Sequence, residues 1–323
     1  MTPDTAVGSP LLWALTIGAI VVLLVVDFLI TRRPHEVSMR EALGWSAFYV
    51  ALPLAFGGWV WSTYGAQRGL EYYTGYLVEK SLSVDNLFVF LLLLGAFAVP
   101  RELQQRVLLI GVTGALVLRG VFIALGAQLI ASFSWAFLLF GAVLLLTGVK
   151  VLRDALAHED KAIDVASLRS VRLLRRWWPV TERYEGTRMT VVQGGRRALT
   201  PLALVVVAIL ATDVVFAIDS VPAVYGITGD AYLVFATNAF ALLGLRALYF
   251  VLEGALARLV HLGFGLAAIL GFIGVKLVLH WAHDIWPAVP VVPTLASLGV
   301  ILAILATVTV TSLSVRDRAP AGS

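Results

Sequence analysis

Apolar runs of membrane-spanning length recur along this chain at about 11–30, 42–61, 73–98, 106–127, 133–152, 200–223, 232–252, 259–279 and 290–310. In hydrocarbon every backbone N–H and C=O must be satisfied inside the protein, so only helices and closed barrels can span. A helix needs roughly 20 residues to cross and a barrel strand about half as many, so these runs have helical length. The sequence therefore predicts an all-α polytopic membrane protein with about nine transmembrane helices. With 60% of its 323 residues hydrophobic, the chain is too apolar for an ordinary soluble domain. Only Asp4 carries charge ahead of the first run, and no small-residue cleavage site follows it, so this run is expected to stay as a helix.

Charge placement predicts the orientation. Of the 24 Lys and Arg, eighteen fall in loops on one side: Arg32, Arg33, Arg40, Arg101, Arg106, Arg258, Arg316, Arg318 and ten within 153–199. The other side holds only Arg68, and five more lie within the runs. Positive loops stay cytoplasmic, which puts the N-terminus out and the C-terminus in. The net charge of +4 is thus an orientation signal, with no nucleic-acid patch. The chain has no Cys, which removes disulfides and thiolate metal sites. The whole of 1–323 reads as one membrane domain. Within it, 153–199 is a cytoplasmic linker in which Arg169, Arg172, Arg175 and Arg176, followed by Trp177 and Trp178, predict a helix lying on the inner membrane surface. Gly194 and Gly195 predict a turn.

A repeat organises the rest. The run 73–98 carries Glu79 and Asp85, followed by Asn86; the run 200–223 carries Asp213 and Asp219, followed by Ser220. Each acidic run precedes a Leu-Arg pair, Leu118-Arg119 and Leu245-Arg246, and then a Gly-Val-Lys triplet, at Gly148-Val149-Lys150 and Gly274-Val275-Lys276. Repeat A at 73–152 and repeat B at 200–279 each hold three runs, an odd number, so the copies are expected to insert in opposite senses. The runs 11–30, 42–61 and 290–310 flank this 3+3 inverted-topology repeat.

Charged groups at this depth cost on the order of 3 kcal/mol each even on lenient scales, and they usually mark a cargo pathway. Six residues turn a regular helix by about 600°, so the two acids of one run cannot share a face unless the helix is interrupted. Either each acid meets a different partner, or the helix breaks. Pro222 favours a break beside Asp219, because it leaves the Ile218 carbonyl without its donor. Antiparallel packing would then set Glu79 level with Asp219, and Asp85 level with Asp213. Glu79, Asp85, Asp213 and Asp219, with Asn86, Ser220 and Asn238, form an all-oxygen candidate metal set. Hard oxygen donors suit manganese, magnesium or calcium better than copper(I) or zinc. His280 and His283 read as an interfacial cap.

Arg119, Lys150, Arg246 and Lys276 are the candidate charge-balancing residues, and a purely structural set of ion pairs is the competing reading. Lys80 is expected to snorkel towards the outer edge, and Asp27 and Glu253 to sit at the inner interface. No nucleophile constellation or cofactor motif is present, so no catalytic residue is expected.

Three segments carry a family resemblance: Glu79-Lys-Ser-Leu-Ser-Val-Asp-Asn-Leu-Phe-Val-Phe90, Phe216-Ala-Ile-Asp-Ser-Val-Pro-Ala223, and Asn238 through Phe250. They resemble the signature segments of the TerC/Alx family from about residue 11 to 312. The resemblance implies a multi-pass protein of the bacterial inner membrane, grouped with lysine-exporter-like transporters. It also implies manganese efflux, with supply of metal to exported metalloproteins. The family's acidic positions fall on Glu79, Asp85, Asp213 and Asp219. Its tellurite-resistance label implies an oxyanion, which intramembrane acids would repel. The expectation is a secondary exporter of divalent cations, manganese first, with protons as counter-ion and no permanently bound cofactor. The alternative is a non-transporting membrane factor that assists assembly or metallation of exported proteins.

Overall fold

The computed structural model describes residues 7–30, 37–133, 135–157, 176–181, 183–193, 196–252 and 261–316, without the side chains of Val84, Asp85, Phe88, Gln193, Arg196, Leu252, Leu262, Asp284, Leu313, Val315 and Arg316. The apolar runs become α1 (Pro10–Ile30), α2 (Met39–Tyr64), α3 (Ala66–Ala96), α4 (Arg101–Ser132) and α5 (Ala136–Leu156). After the linker come α6 (Pro201–Tyr225), α7 (Ala231–Leu243), α8 (Leu245–Leu252), α9 (Leu262–Ile285) and α10 (Thr294–Arg316). Eight spans are long and apolar enough to cross a membrane, with α7 and α8 counted as one. The helix that fails on composition is α3, although its 31 residues give ample length. Glu71, Glu79, Lys80 and Asp85 lower its hydropathy.

Local chemistry starts the helices. Ser38 caps α2 by accepting from the Glu41 N–H at 3.3 Å, and Asp230 caps α7 by accepting from Tyr232 and Leu233 at 2.9 and 3.2 Å. The other Asp230 oxygen takes the Val7 N–H at 2.7 Å, which ties the residues before α1 to the α6–α7 turn. Pro201 sits in the first turn of α6, where no intrahelical donor is lost.

Helices α3, α4, α6 and α7 pack at the centre, with α3 against α7, α4 against α6, α3 against α6 and α4 against α7. Helices α5 and α9 make the most extensive helix pair. Glycines let their backbones approach. A Cβ at Gly148 would lie 3.3 Å from the Ala267 oxygen and 3.3 Å from the Gly271 nitrogen. One at Gly274 would lie 3.1 Å from the Gly141 oxygen and 3.1 Å from the Leu145 nitrogen. The shift that aligns Lys150 with Lys276 converts the first of these contacts into the second. Helices α1 and α10 are peripheral, with Leu11, Leu15, Val22, Leu29, Leu295 and Val310 exposed where lipid would lie.

Two expectations about helix continuity need correction. Helix α6 runs unbroken through Pro222 to its end at Tyr225, where the Gly226 N–H donates to the Pro222 carbonyl at 2.9 Å, so the missing proline donor removes one helical bond without ending the helix. The interruption falls instead at Gly244, between α7 and α8. There the Lys80 ammonium donates to the Ala241 carbonyl at 3.4 Å. Lys80 therefore does not snorkel to the outer edge; it answers a carbonyl beside the break.

The linker also holds structure that periodicity did not reveal. Strands β1 (Thr190–Gln193) and β2 (Arg196–Leu199) form an antiparallel hairpin about the expected Gly194-Gly195 turn, which itself lies outside the described residues. Thr200 Oγ1 donates to the Arg188 carbonyl at 2.8 Å, and Tyr184 donates to the Phe97 carbonyl at 2.8 Å. Partial burial pushes the Tyr184 phenol up to about 12, so it stays a donor through the physiological range. The linker thus folds back on the ends of α3 and α6. The surface helix expected around Arg169, Arg172 and Arg175 lies outside the described residues, while Arg176, Trp177 and Trp178 are exposed.

Candidate metal centre

On an unbroken α3 the residues that share a face with Glu79 are Ser83 and Asn86, at i+4 and i+7. On α6 the corresponding stripe from Asp213 is Ala217 and Ser220. All six are buried, Glu79 and Asp213 at 0% exposure. The same spacing therefore builds two equivalent stripes, an acid, a small residue and a polar residue, on two helices that face each other.

Between the stripes lies Arg119 of α4, 1% exposed. Its Nη1 donates to Glu79 Oε1 and, at 3.1 Å, to Asn238 Oδ1. Its Nη2 donates to Asp213 Oδ1 at 3.3 Å. With the Asn86 amide turned so that its oxygen faces the guanidinium, Nη2 also donates to Asn86 at 2.9 Å, and the amide nitrogen donates to the Leu82 carbonyl at 3.2 Å. Asn238 is held by its own donation to the Val234 carbonyl at 3.0 Å. One guanidinium thus gathers oxygens from α3, α6 and α7. Glu79 Oε2, Asp213 Oδ2, Ser83 Oγ and Ser220 Oγ are buried without a hydrogen-bond partner among the described residues.

The structure brings together four of the seven candidate ligands: Glu79, Asp213, Asn86 and Asn238. Ser220 is buried on the Asp213 stripe. Asp219 points elsewhere, accepting from Thr147 of α5 at 2.8 Å, close enough to Lys150 to feel its charge. Each acid of a run meeting its own partner is the outcome an uninterrupted helix dictates. The side chain of Asp85 lies outside the described ones, and among those described no three His, Asp or Glu side chains gather into a metal-holding group. Glu79 is therefore level with Asp213, and the expected pairing of Glu79 with Asp219 is corrected.

Arg246 does not join the acidic runs. It pairs with Asp27 of α1, both buried. Asp27 is thus a buried partner at 3% exposure, where an interfacial residue was expected. Lys276 lies within reach of the charge of Glu71, which accepts from Gln67, Arg68 and Thr228 at 2.9, 2.9 and 2.8 Å. His280 packs edge-on against Phe137, and His283 contacts the Val289 carbonyl at 2.7 Å. Glu253 lies outside the described residues. The Arg246–Asp27 and Lys80–Ala241 contacts escaped sequence reasoning because the partners lie 219 and 161 residues apart in the chain, with no local signal joining them.

Known proteins resemble this chain closely. The profile of the integral membrane protein TerC family matches residues 64–320. An uncharacterized membrane protein of Myxococcus xanthus is 42% identical over 273 residues, covering 84% of each chain. One of Mycobacterium tuberculosis is 45% identical over 278 residues, covering 86% of this chain and 70% of its own. Alx of Escherichia coli, named as a candidate membrane-bound redox modulator, is 42% identical over 310 residues and 93% of each chain. No solved structure matches.

Proposed function

The chain belongs to the TerC family of integral membrane proteins, and from that premise we propose that it exports divalent cations, manganese first, across the bacterial inner membrane. The observation that carries this reading is the sealed cluster of Glu79, Asp213, Asn86 and Asn238. Four oxygen-bearing side chains from three helices converge on a positive group, and each carboxylate keeps one oxygen without a hydrogen-bond partner among the described residues. Anionic and amide oxygens in that number are the donors a hard dication takes. Manganese is placed first by the family resemblance, and oxygen chemistry alone would admit magnesium or calcium.

The helix packing supports alternating access between inverted halves. Exchanging α3, α4 and α5 with α6, the α7–α8 pair and α9 maps the packing of α3 on α7 onto that of α4 on α6, and returns the α5–α9 pair to itself. The reciprocal glycine contacts follow the same exchange. A cargo site between such repeats can open to one side and then the other as the halves rock. With Glu79 and Asp213 fully buried, the present arrangement is a closed one.

Export against a negative-inside potential costs about 4.6 kcal/mol per 100 mV for a dication. Inward protons are the proposed counter-ion, and Asp219, outside the Arg119 cluster, is the carboxylate proposed to carry them. The Escherichia coli relative carries a redox-modulator name. This chain, having no cysteine, has no thiol of its own through which to act. The structural alternative, a metallation or assembly factor, draws on the fact that Arg119 already answers both carboxylates. Purified protein in liposomes, offered manganese, calcium, magnesium and zinc in parallel, separates the readings. Manganese flux with a coupled change in lumenal pH is expected, and absence of flux for all four cations would leave the scaffold reading standing.

A further inference from the structure

The contacts of Arg119 have a second meaning. Its partners are Glu79, Asp213, Asn86 and Asn238, which are the oxygen donors a bound dication would take in the reading above. The guanidinium stands between them, and no other cation among the described residues reaches this cage. Two carboxylates and one guanidinium leave a single net negative charge. Adding a dication while the guanidinium stayed would make the buried cage positive, whereas replacing the guanidinium with the dication makes it neutral. A buried site strongly prefers the neutral arrangement.

We propose that Arg119 is a tethered counter-cation: it occupies the oxygen cage of the empty carrier, and the metal must displace it to load. This rests on the cation-export reading. It gives the guanidinium two tasks. It sets affinity, because every loading event breaks four charge-assisted or polar hydrogen bonds. It also lets the empty carrier reorient, because without it two unpaired carboxylates would have to cross the closed state. The repeat's other arginine cannot take over, since Arg246 is bound to Asp27.

The test compares wild type, Arg119→Gln and Arg119→Lys. Manganese binding is measured by calorimetry on the purified full chain, and net export and manganese–manganese exchange are measured in liposomes. Arg119→Gln is expected to bind manganese about tenfold more tightly or better, since a charged hydrogen-bonding competitor is gone. It should retain exchange, which needs no empty carrier to reorient, and lose net export. Arg119→Lys, a point charge that cannot fork across four oxygens, should bind with intermediate affinity and recover part of net export. A structural ion pair predicts neither the gain in affinity nor the split between exchange and export. Should Arg119→Gln not fold, Arg119→Lys decides: affinity equal to or below wild type overturns the proposal. A folded Arg119→Gln with wild-type or weaker affinity overturns it alone, leaving metal export intact. No binding by wild type or either variant overturns both readings.

Discussion

Arg119 and its two carboxylates form a unit whose members cannot be judged singly. Either acid alone still compensates the guanidinium, so Glu79→Gln or Asp213→Asn should cost modest stability. The double variant leaves a cation buried at 1% exposure with no anionic partner among the described residues. Such a loss costs about 3–5 kcal/mol. Thermal unfolding of the four proteins in detergent should therefore show a double-variant loss well beyond the sum of the singles. Additive effects would mean that Arg119 draws its compensation from elsewhere. Asp219 belongs to a different setting, where Thr147 donates to it across the α5–α6 contact. Asp219 and Asp213 are six residues apart, and helical geometry assigns them to different partners.

At the scale of elements, close approach of backbones holds the two third helices together. A Cβ at Gly141 would fall 2.9 Å from the Gly274 oxygen and 3.2 Å from the Val278 nitrogen, and neither backbone atom can turn aside. Gly141→Leu should push α5 from α9 and lower stability by at least ~1–3 kcal/mol, the usual cost of overpacking. Gly271→Leu, where an added Cβ meets nothing within 4 Å, is the control and should cost less. Equal melting temperatures for the two variants would show that the α5–α9 crossing is looser than described. Close to Gly244, which separates α7 from α8, Arg246 pairs with Asp27 of α1 and Lys80 donates to the Ala241 carbonyl.

At the scale of the whole molecule, orientation can be read directly, because the chain has no cysteine and single ones can be introduced freely. Ala288, exposed between α9 and α10, and Glu185, exposed in the linker, lie at opposite ends under the predicted topology. A membrane-impermeant maleimide should label Ala288→Cys in intact cells and Glu185→Cys only after permeabilisation. The reverse pattern would invert the protein, and with it the direction of cargo movement.

The apolar runs located the helices, because span length and backbone satisfaction in lipid leave little choice. Their ends differ from those of the helices by up to seven residues, as 73 does from Ala66 of α3. The acids, their duplicated spacing and the oxygen-rich donor set were equally legible, since a charge in an apolar run is conspicuous in one dimension. What packs against what was not. That Glu79 meets Asp213 through Arg119, while Asp219 turns to Thr147 and Arg246 to Asp27, depends on how the helices pack and are rotated against one another. Pro222 signalled a break that the end of α6 absorbs, and Gly244 made one without a proline. Local sequence states the cost of a buried charge, and only the tertiary arrangement decides which partner offsets it, because those partners lie tens to hundreds of residues away along the chain.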